Sequence, residues 1–371
     1  MSSAVSMAQN QAAGDNTTRQ LTCIWEDLLS VHPIEPDQNY FDLGGDSLLA
    51  VQMFAQIDKM FHVKLPVATL FEAPTIGELA QILYREAPKS RWSSVVTIQP
   101  KGSRPPFFCM HGAGGNVLIY RELSEHLGQD QPFYGLQSLG LDGSSEPQSR
   151  IEDMAASYVQ EIRRTQAKGP YYLGGYCLGG TIAYEVAQQL RAQGEEVALL
   201  AMFDTLNWHK VPPLTFWKKT IVRMERLWFH ALTYFRLDGE GRRIFLREKL
   251  QAVRNRIPVW RGMLLSEFVG NTDATKSDSL VLGRIWTSND KAANDYVPKP
   301  YPGAVTDFRP SKQYSIYHRR DLKWEELAQG GQEIVPLPVY PAGMLLEPFV
   351  RHLADALRKC VDSAMLRQGR P

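Results

Sequence analysis

The sequence predicts two folds in series: a small all-α bundle, then an α/β domain interrupted by a helical insertion. Three observations carry this. Between Leu21 and about Tyr84, apolar residues recur in short blocks at helical spacing. From Phe107 onward, apolar runs of strand length alternate with amphipathic helical stretches, the pattern of a parallel sheet with helices on both faces. Finally, about 100 residues separate Asp204 from the next strand candidate, too many for a loop, and they carry helical periodicity and many aromatic side chains.

Residues 1–16, rich in Ser, Ala, Asn and Gln and without apolar periodicity, read as a disordered leader. Residues 17–87 are expected to form a four-helix bundle. Its helices are marked by Leu21, Ile24, Trp25, Leu28 and Leu29, by Leu48, Leu49, Met53, Phe54 and Ile57, and by Ile76, Leu79, Ile82 and Leu83. Residues 88–96, with Pro88 and several basic side chains, read as a linker. In the α/β domain, residues 97–367, strands are expected at 107–110, 171–175, 197–203 and 304–308, with a helix at 181–190. The insertion, about 207–300, follows a strand whose end bears an acid, the placement of a helical lid. From Lys218 to Arg261 it holds twelve Lys/Arg against four Asp/Glu. A solvated helix face or contact with an acidic surface explains that charge equally well.

Composition excludes several classes. With 44% hydrophobic residues in 371, the chain has ample material for two or three cores, and 41 Lys+Arg against 40 Asp+Glu gives no general reason for nucleic-acid binding. No apolar run approaches the length of a membrane span, and the polar start lacks the order of a secretory signal, so a cytoplasmic protein without stable membrane insertion is expected. Cys23, Cys109, Cys177 and Cys360 lie far apart, which points to neither a disulfide framework nor a metal site. Cys109 reads as core.

In Gly44-Gly45-Asp46-Ser47-Leu48, two glycines and an aspartate end a loop and Ser47 begins an apolar helix. Physics alone reads Asp46 or Ser47 as an N-cap, and a phosphate on Ser47 would meet the positive end of the helix dipole. Together with Leu70-Phe71-Glu72-Ala73-Pro74-Thr75-Ile76, the segment resembles the attachment signature of acyl and peptidyl carrier proteins. The resemblance implies covalent 4'-phosphopantetheine on Ser47, a thiol arm bearing an acyl chain, and a phosphopantetheinyl transferase as partner.

Gly175-Tyr176-Cys177-Leu178-Gly179-Gly180 lies between a strand and a helix, the context of a nucleophile elbow, with cysteine where serine is usual. The glycines permit the strained turn, and the following helix N-terminus is expected to lower the Cys177 thiol pKa. Asp204 ends the next strand at the carboxyl edge of the sheet, where α/β sites gather; as an alternative it caps the start of the lid. His111-Gly112-Ala113-Gly114-Gly115 resembles the oxyanion loop of α/β hydrolases, which implies oxyanion donors at the backbone of Ala113 and Leu178 and a structural His111.

Residues from about 96 to 360 resemble the thioesterase domains that end nonribosomal peptide and polyketide assembly lines. Besides these motifs, Trp324 and Met344-Leu345-Leu346-Glu347-Pro348-Phe349-Val350 carry the likeness. It implies an α/β-hydrolase fold with a helical lid, an acyl or peptidyl substrate, and an upstream acyl-loading or synthetase module. A free-standing didomain and a piece of a larger synthetase both accord with it. In one respect the pattern fails: Pro341 stands where that family has its histidine base. His318, beyond the fourth strand, is the substitute expected here, with His209 behind it, while His126, His230 and His352 fall in helix patterns. Two functions follow as expectations: acyl transfer from the Ser47 arm to Cys177 with release to water, an amine or a hydroxyl, or an impaired domain that shelters the carrier-bound chain for a partner enzyme.

Overall fold

A computed structural model describes residues 2–84, 93–143, 145–211, 216–247, 249–250, 273–313, 324–340 and 343–369. The chain divides into two compact units, the first holding the N-terminal bundle and the second the α/β domain.

In the bundle, α1 (Ser2–Leu29), α2 (Ser47–Phe61) and α3 (Ile76–Tyr84) are joined by loops and a single 3₁₀ turn, Val67–Phe71. The expected fourth helix is that turn. A second correction concerns the leader: α1 runs on from Ser2, because an Ala-rich stretch without proline extends a helix whose far end is already fixed by packing. That packed end buries Leu21, Ile24, Trp25 and Leu29 of the stripe read from the sequence, with Leu28 half-buried, and packs on α2 and α3, where Leu49, Met53, Ile57, Ile76 and Leu79 are buried. A capping box starts α3: Thr75 Oγ1 accepts the Glu78 N–H, and Glu78 Oε2 accepts the Thr75 N–H, each at 3.2 Å.

The α/β unit is built on a seven-stranded sheet of β1 (Val95–Gln99), β2 (Phe107–Met110), β3 (Phe133–Leu136), β4 (Tyr171–Tyr176), β5 (Val197–Phe203), β6 (Val305–Pro310) and β7 (Gln332–Leu337), in the order β1-β3-β2-β4-β5-β6-β7. All neighbours are parallel except β1, which pairs antiparallel with β3, so the sheet is mixed at one edge. Its helices are α4 (Arg121–Leu127), α5 (Ile151–Thr165), α6 (Leu178–Ala192), α7 (Phe216–Arg236), α8 (239–247), α9 (Asp273–Asp295), which belongs to this unit from Gly283 on, and α10 (Val350–Arg367). α6 packs on β2, β4 and β5 with α5 beside it, while α4 and α10 pair as a second group, α10 against β5 and β7. No helix among the described residues is long and apolar enough to cross a membrane.

This topology makes the site. After β2 the chain goes to β3 on one side, and β4 then pairs on the other side of β2. The loops leaving β2 and β4 therefore open a crevice at the carboxyl ends of the strands, where α/β sheets bind ligands. The register puts Met110 opposite Gly175, and Tyr176 opposite Phe203, so the chain positions following β2, β4 and β5 come out together.

Candidate active site and carrier loop

Cys177 sits at a sharp turn between β4 and α6 with φ +56° and ψ −115°, a left-handed backbone that a side-chain-bearing residue adopts at a cost. Three glycines make the turn possible. A Cβ on Gly175 would lie 2.2 Å from the backbone of Gly179, one on Gly179 the same distance from the Met110 carbonyl oxygen, and one on Gly180 2.0 Å from Thr205 Oγ1. The turn is pinned by the Cys177 N–H, which donates to the Phe203 carbonyl at 2.9 Å.

Asp204, also left-handed at φ +45°, leaves β5 with its N–H on the Phe308 carbonyl at 2.9 Å. Trp324 Nε1 donates to the next carbonyl, Thr205, at 3.3 Å and packs on Tyr184. The charge of the Asp204 carboxylate acts at the Cys177 sulfur. Here the structure corrects the expected thiol pKa. Burial, then the negative charge of Asp204, and lastly that of Asp290, outweigh the Leu178 N–H bonded to the sulfur, and the thiol is pushed up to about 12. The helix N-terminus acts in the expected direction but is outweighed, and the sulfur is held as a protonated thiol at neutral pH.

The loop after β2 is tied down from within. Burial moves the His111 imidazole down to about 4, so the ring is neutral. Its Nδ1–H then donates to the Gly112 carbonyl at 2.7 Å, and Nε2 accepts from the Tyr158 hydroxyl at 2.8 Å. Tyr120 links this loop to the elbow, donating to the Met110 carbonyl at 2.5 Å and accepting the Tyr176 N–H at 3.0 Å. Ala113 lies in this loop and Leu178 opens α6 beside Cys177. Cys109 is buried core.

The other expected residues are distributed differently. His318, and Pro341 at the family's histidine position, lie outside the described residues. His209 is exposed, its Nδ1–H donating to the Asn294 carbonyl at 3.0 Å. His230, set aside in the sequence, packs from α7 edge-on to Tyr340 at 5.0 Å between ring centroids, one residue from Pro341. The helical insertion expected over about 207–300 contains α9, but two of its polar residues were not singled out: Asn289 Nδ2 donates to the Ala113 carbonyl at 2.9 Å, and its neighbour Asp290 is one of the two acids acting on Cys177. A signal existed, since Ile285, Asn289, Ala292 and Tyr296 form one buried helical stripe with a single amide in it.

In the other unit, Ser47 is the first residue of α2 and half-exposed. Of the two capping candidates the structure selects Asp46, whose Oδ1 accepts the Leu49 N–H at 2.9 Å. The Ser47 hydroxyl is thus not needed as a cap. The loop behind it lies on the buried Tyr40 ring: a Cβ on Gly45 would come within 2.1 Å of it, and Tyr40 donates its hydroxyl to the Asp46 carbonyl at 3.0 Å. A half-exposed hydroxyl at the positive end of a 15-residue helix fits a phosphodiester well.

Comparison with known proteins matches residues 19–83 to the phosphopantetheine attachment site family and residues 105–213 to the thioesterase domain family. Chondramide synthase cmdD of Chondromyces crocatus is 38% identical over 375 residues, covering 95% of this chain and 9% of that protein. The dimodular nonribosomal peptide synthase of Bacillus subtilis (strain 168) is 41% identical over 189 residues, 51% of this chain and 8% of that protein. The chain thus spans less than a tenth of either relative. Among solved structures, the holo four-domain nonribosomal peptide synthetase AB3403, bound to AMP and glycine, superposes with a TM-score of 0.58 at 26% identity, over 92% of this chain and 26% of that one. The NocB thioesterase domain, in covalent complex with a fluorophosphonate nocardicin G analogue, shares the fold at a TM-score of 0.52 and 22% identity, over 72% of this chain and all of its own.

Proposed function

The chain is a carrier–thioesterase didomain of the nonribosomal peptide synthetase kind, and from that premise we propose that it releases an acyl or peptidyl chain from its own carrier through a covalent intermediate on Cys177. Phosphopantetheine on Ser47 supplies, when bound, a flexible thiol arm on which the chain travels as a thioester. The Cys177 sulfur attacks the thioester carbonyl carbon, the N–H groups of Ala113 and Leu178 receive the oxyanion, and the carbon–sulfur bond to the arm breaks. The thiol proton leaves Cys177 as the bond forms and ends on the departing thiol, with Asp204, whose charge acts at the sulfur, the carboxylate assigned to carry it between them. Water, an amine or a hydroxyl, from an acceptor or from the chain itself, then attacks the Cys177 thioester and regenerates the thiol. A phosphopantetheinyl transferase and an upstream module that loads the arm are the partners this requires.

The observation that carries the reading is the elbow: Cys177 in a left-handed conformation, with glycines around it that cannot bear a Cβ. A second reading, a domain that shelters the carrier-bound chain for another enzyme, is favoured by the raised thiol pKa and by Pro341 at the family's histidine position. One experiment separates them. The holo protein is loaded with an acyl group at Ser47, and intact mass, tryptic mapping and released product are followed for wild type, Cys177→Ala and Ser47→Ala. Transfer predicts acyl on Cys177, no release in Cys177→Ala and no loading in Ser47→Ala. Acyl that stays on the arm equally in wild type and Cys177→Ala, across several chains and acceptors, gives the second reading instead.

A further inference from the structure

We propose that Asn289 is a positioning residue of this site, holding the Ala113 carbonyl and so the second peptide plane of the loop that presents the Ala113 N–H to the oxyanion formed at Cys177; the proposal rests on the acyl-transfer reading above. α9 reaches the loop after β2 through one buried stripe. Ile285 lies under Gly115, where a Cβ would come within 2.8 Å of Ile285 Cγ2, and Trp286 borders Gly114. One turn on, the fully buried Asn289 donates its Nδ2–H to the Ala113 carbonyl at 2.9 Å. Two further bonds fix the helix: the Ser288 hydroxyl donates to the Gln148 carbonyl at 3.1 Å, and Tyr296 to Glu185 on α6 at 2.7 Å.

The amide orientation follows from chemistry, because a carbonyl can only accept and the NH₂ side must face it. That leaves Asn289 Oδ1 buried with no hydrogen-bond partner among the described residues. A buried acceptor without a donor is destabilising, and an apolar side chain of the same shape would serve the core better. What the amide supplies is control of one peptide plane. His111 and Gly115 both bond the Gly112 carbonyl, by the ring and by the backbone N–H, and so fix the loop on one side of Ala113. On the other side, Asn289 holds the plane joining Ala113 to Gly114. The Ala113 N–H lies in the first of these planes, opposite the Gly112 carbonyl, and Asn289, by holding the second, keeps the Ala113 Cα between them from turning and carrying the donor away.

The test compares two reactions of the same sulfur in the full-length protein: acylation of Cys177 by a small acyl thioester, which forms an oxyanion, and alkylation by iodoacetamide, which forms none. Both are followed by peptide mapping in wild type, Asn289→Leu and Asn289→Ser. For Asn289→Leu, acylation is expected to slow about 10- to 100-fold at saturating thioester, with half-saturation within about twofold of wild type. Alkylation and thermal stability are expected to be unchanged or improved, and Asn289→Ser, which keeps a donor, to recover part of the loss. Where Asn289→Leu does not fold, Asn289→Ala gives the same split. Acylation as fast as wild type overturns the proposal, and so does an equal fall in both reactions. A wild type whose Cys177 is alkylated but never acylated overturns the acyl-transfer reading itself, a result distinguishable from either.

Discussion

Two nucleophilic side chains in this chain stand at the start of a helix behind glycines, and the backbone treats them oppositely. Behind Ser47 the left-handed turn is taken by Gly44, at φ +92°, the cap is supplied by Asp46, and the serine enters α2 as an ordinary helical residue. At the elbow Cys177 takes the left-handed conformation itself, and the glycines stand at the flanks where strand and helix close around it. A residue to be modified by another enzyme need only be presented. A residue that is to attack must be held off the end of a strand in one place, at a backbone cost of about 1–3 kcal/mol borne by the surrounding sheet.

The sharpest way to break this comparison is to give each turn a methyl group. Gly179→Ala drives a Cβ into the backbone oxygen of Met110 and is expected to destabilise the α/β unit by more than about 3 kcal/mol in urea unfolding. Gly45→Ala meets the Tyr40 ring, a side chain able to tilt, and is expected to cost the bundle less. Equal losses would mean that the elbow is no more constrained than the carrier loop.

Acid should also separate the two regions. The buried His111 ring is neutral in the fold, at about 4, and takes a proton near its ordinary 6.5 once unfolded. Its contribution to stability is therefore complete above pH 6.5 and lost as pH falls toward 4, by about 3 kcal/mol over that window. The carrier histidines, His32 and His62, are exposed. The α/β unit is expected to lose stability first between pH 6.5 and 4, and His111→Gln to flatten that slope. A slope unchanged in the variant would assign the acid sensitivity to other groups.

A smaller effect bears on charge at the elbow. Asp204→Asn removes one of the two carboxylates that raise the Cys177 thiol, so its pKa should fall and alkylation at pH 8 should quicken, about tenfold for each unit. An unchanged rate would mean that burial alone sets the thiol. Least in size, Asp46→Ala is expected to cost the bundle about 1 kcal/mol as a lost N-cap, whereas Ser47→Ala should cost only a fraction of that. The reverse order in thermal melts would return the capping role to the serine.

Much of this was legible locally. The strands 107–110 and 197–203 coincide with β2 and β5, because a parallel strand covered on both faces is a continuous apolar run. Ser47, the elbow and the loop at 111–115 were readable because each depends on small residues at fixed short spacing. The antiparallel β1 went unseen: Val95 to Gln99 is short and its burial mixed, so an edge strand leaves little pattern. Thiol pKa, too, lay beyond the motif. A helix N-terminus is visible as sequence, but Asp290, 113 residues from Cys177, adds its charge at the sulfur only through folding.

The sequence by itself determined which residues can occupy tight places: glycines where a Cβ has no room, apolar stripes that must be buried, and the order of carrier before hydrolase. Those are short-range constraints, satisfied within a turn or a strand. Only the tertiary structure decided the electrostatics and the aim of the site: that burial, with the charges of two acids, raises the Cys177 thiol, that Asp46 and not Ser47 caps α2, and that an asparagine on α9 bonds the loop after β2. Charge and hydrogen bonding act through space, between groups that the chain keeps far apart until the sheet brings its strand ends together.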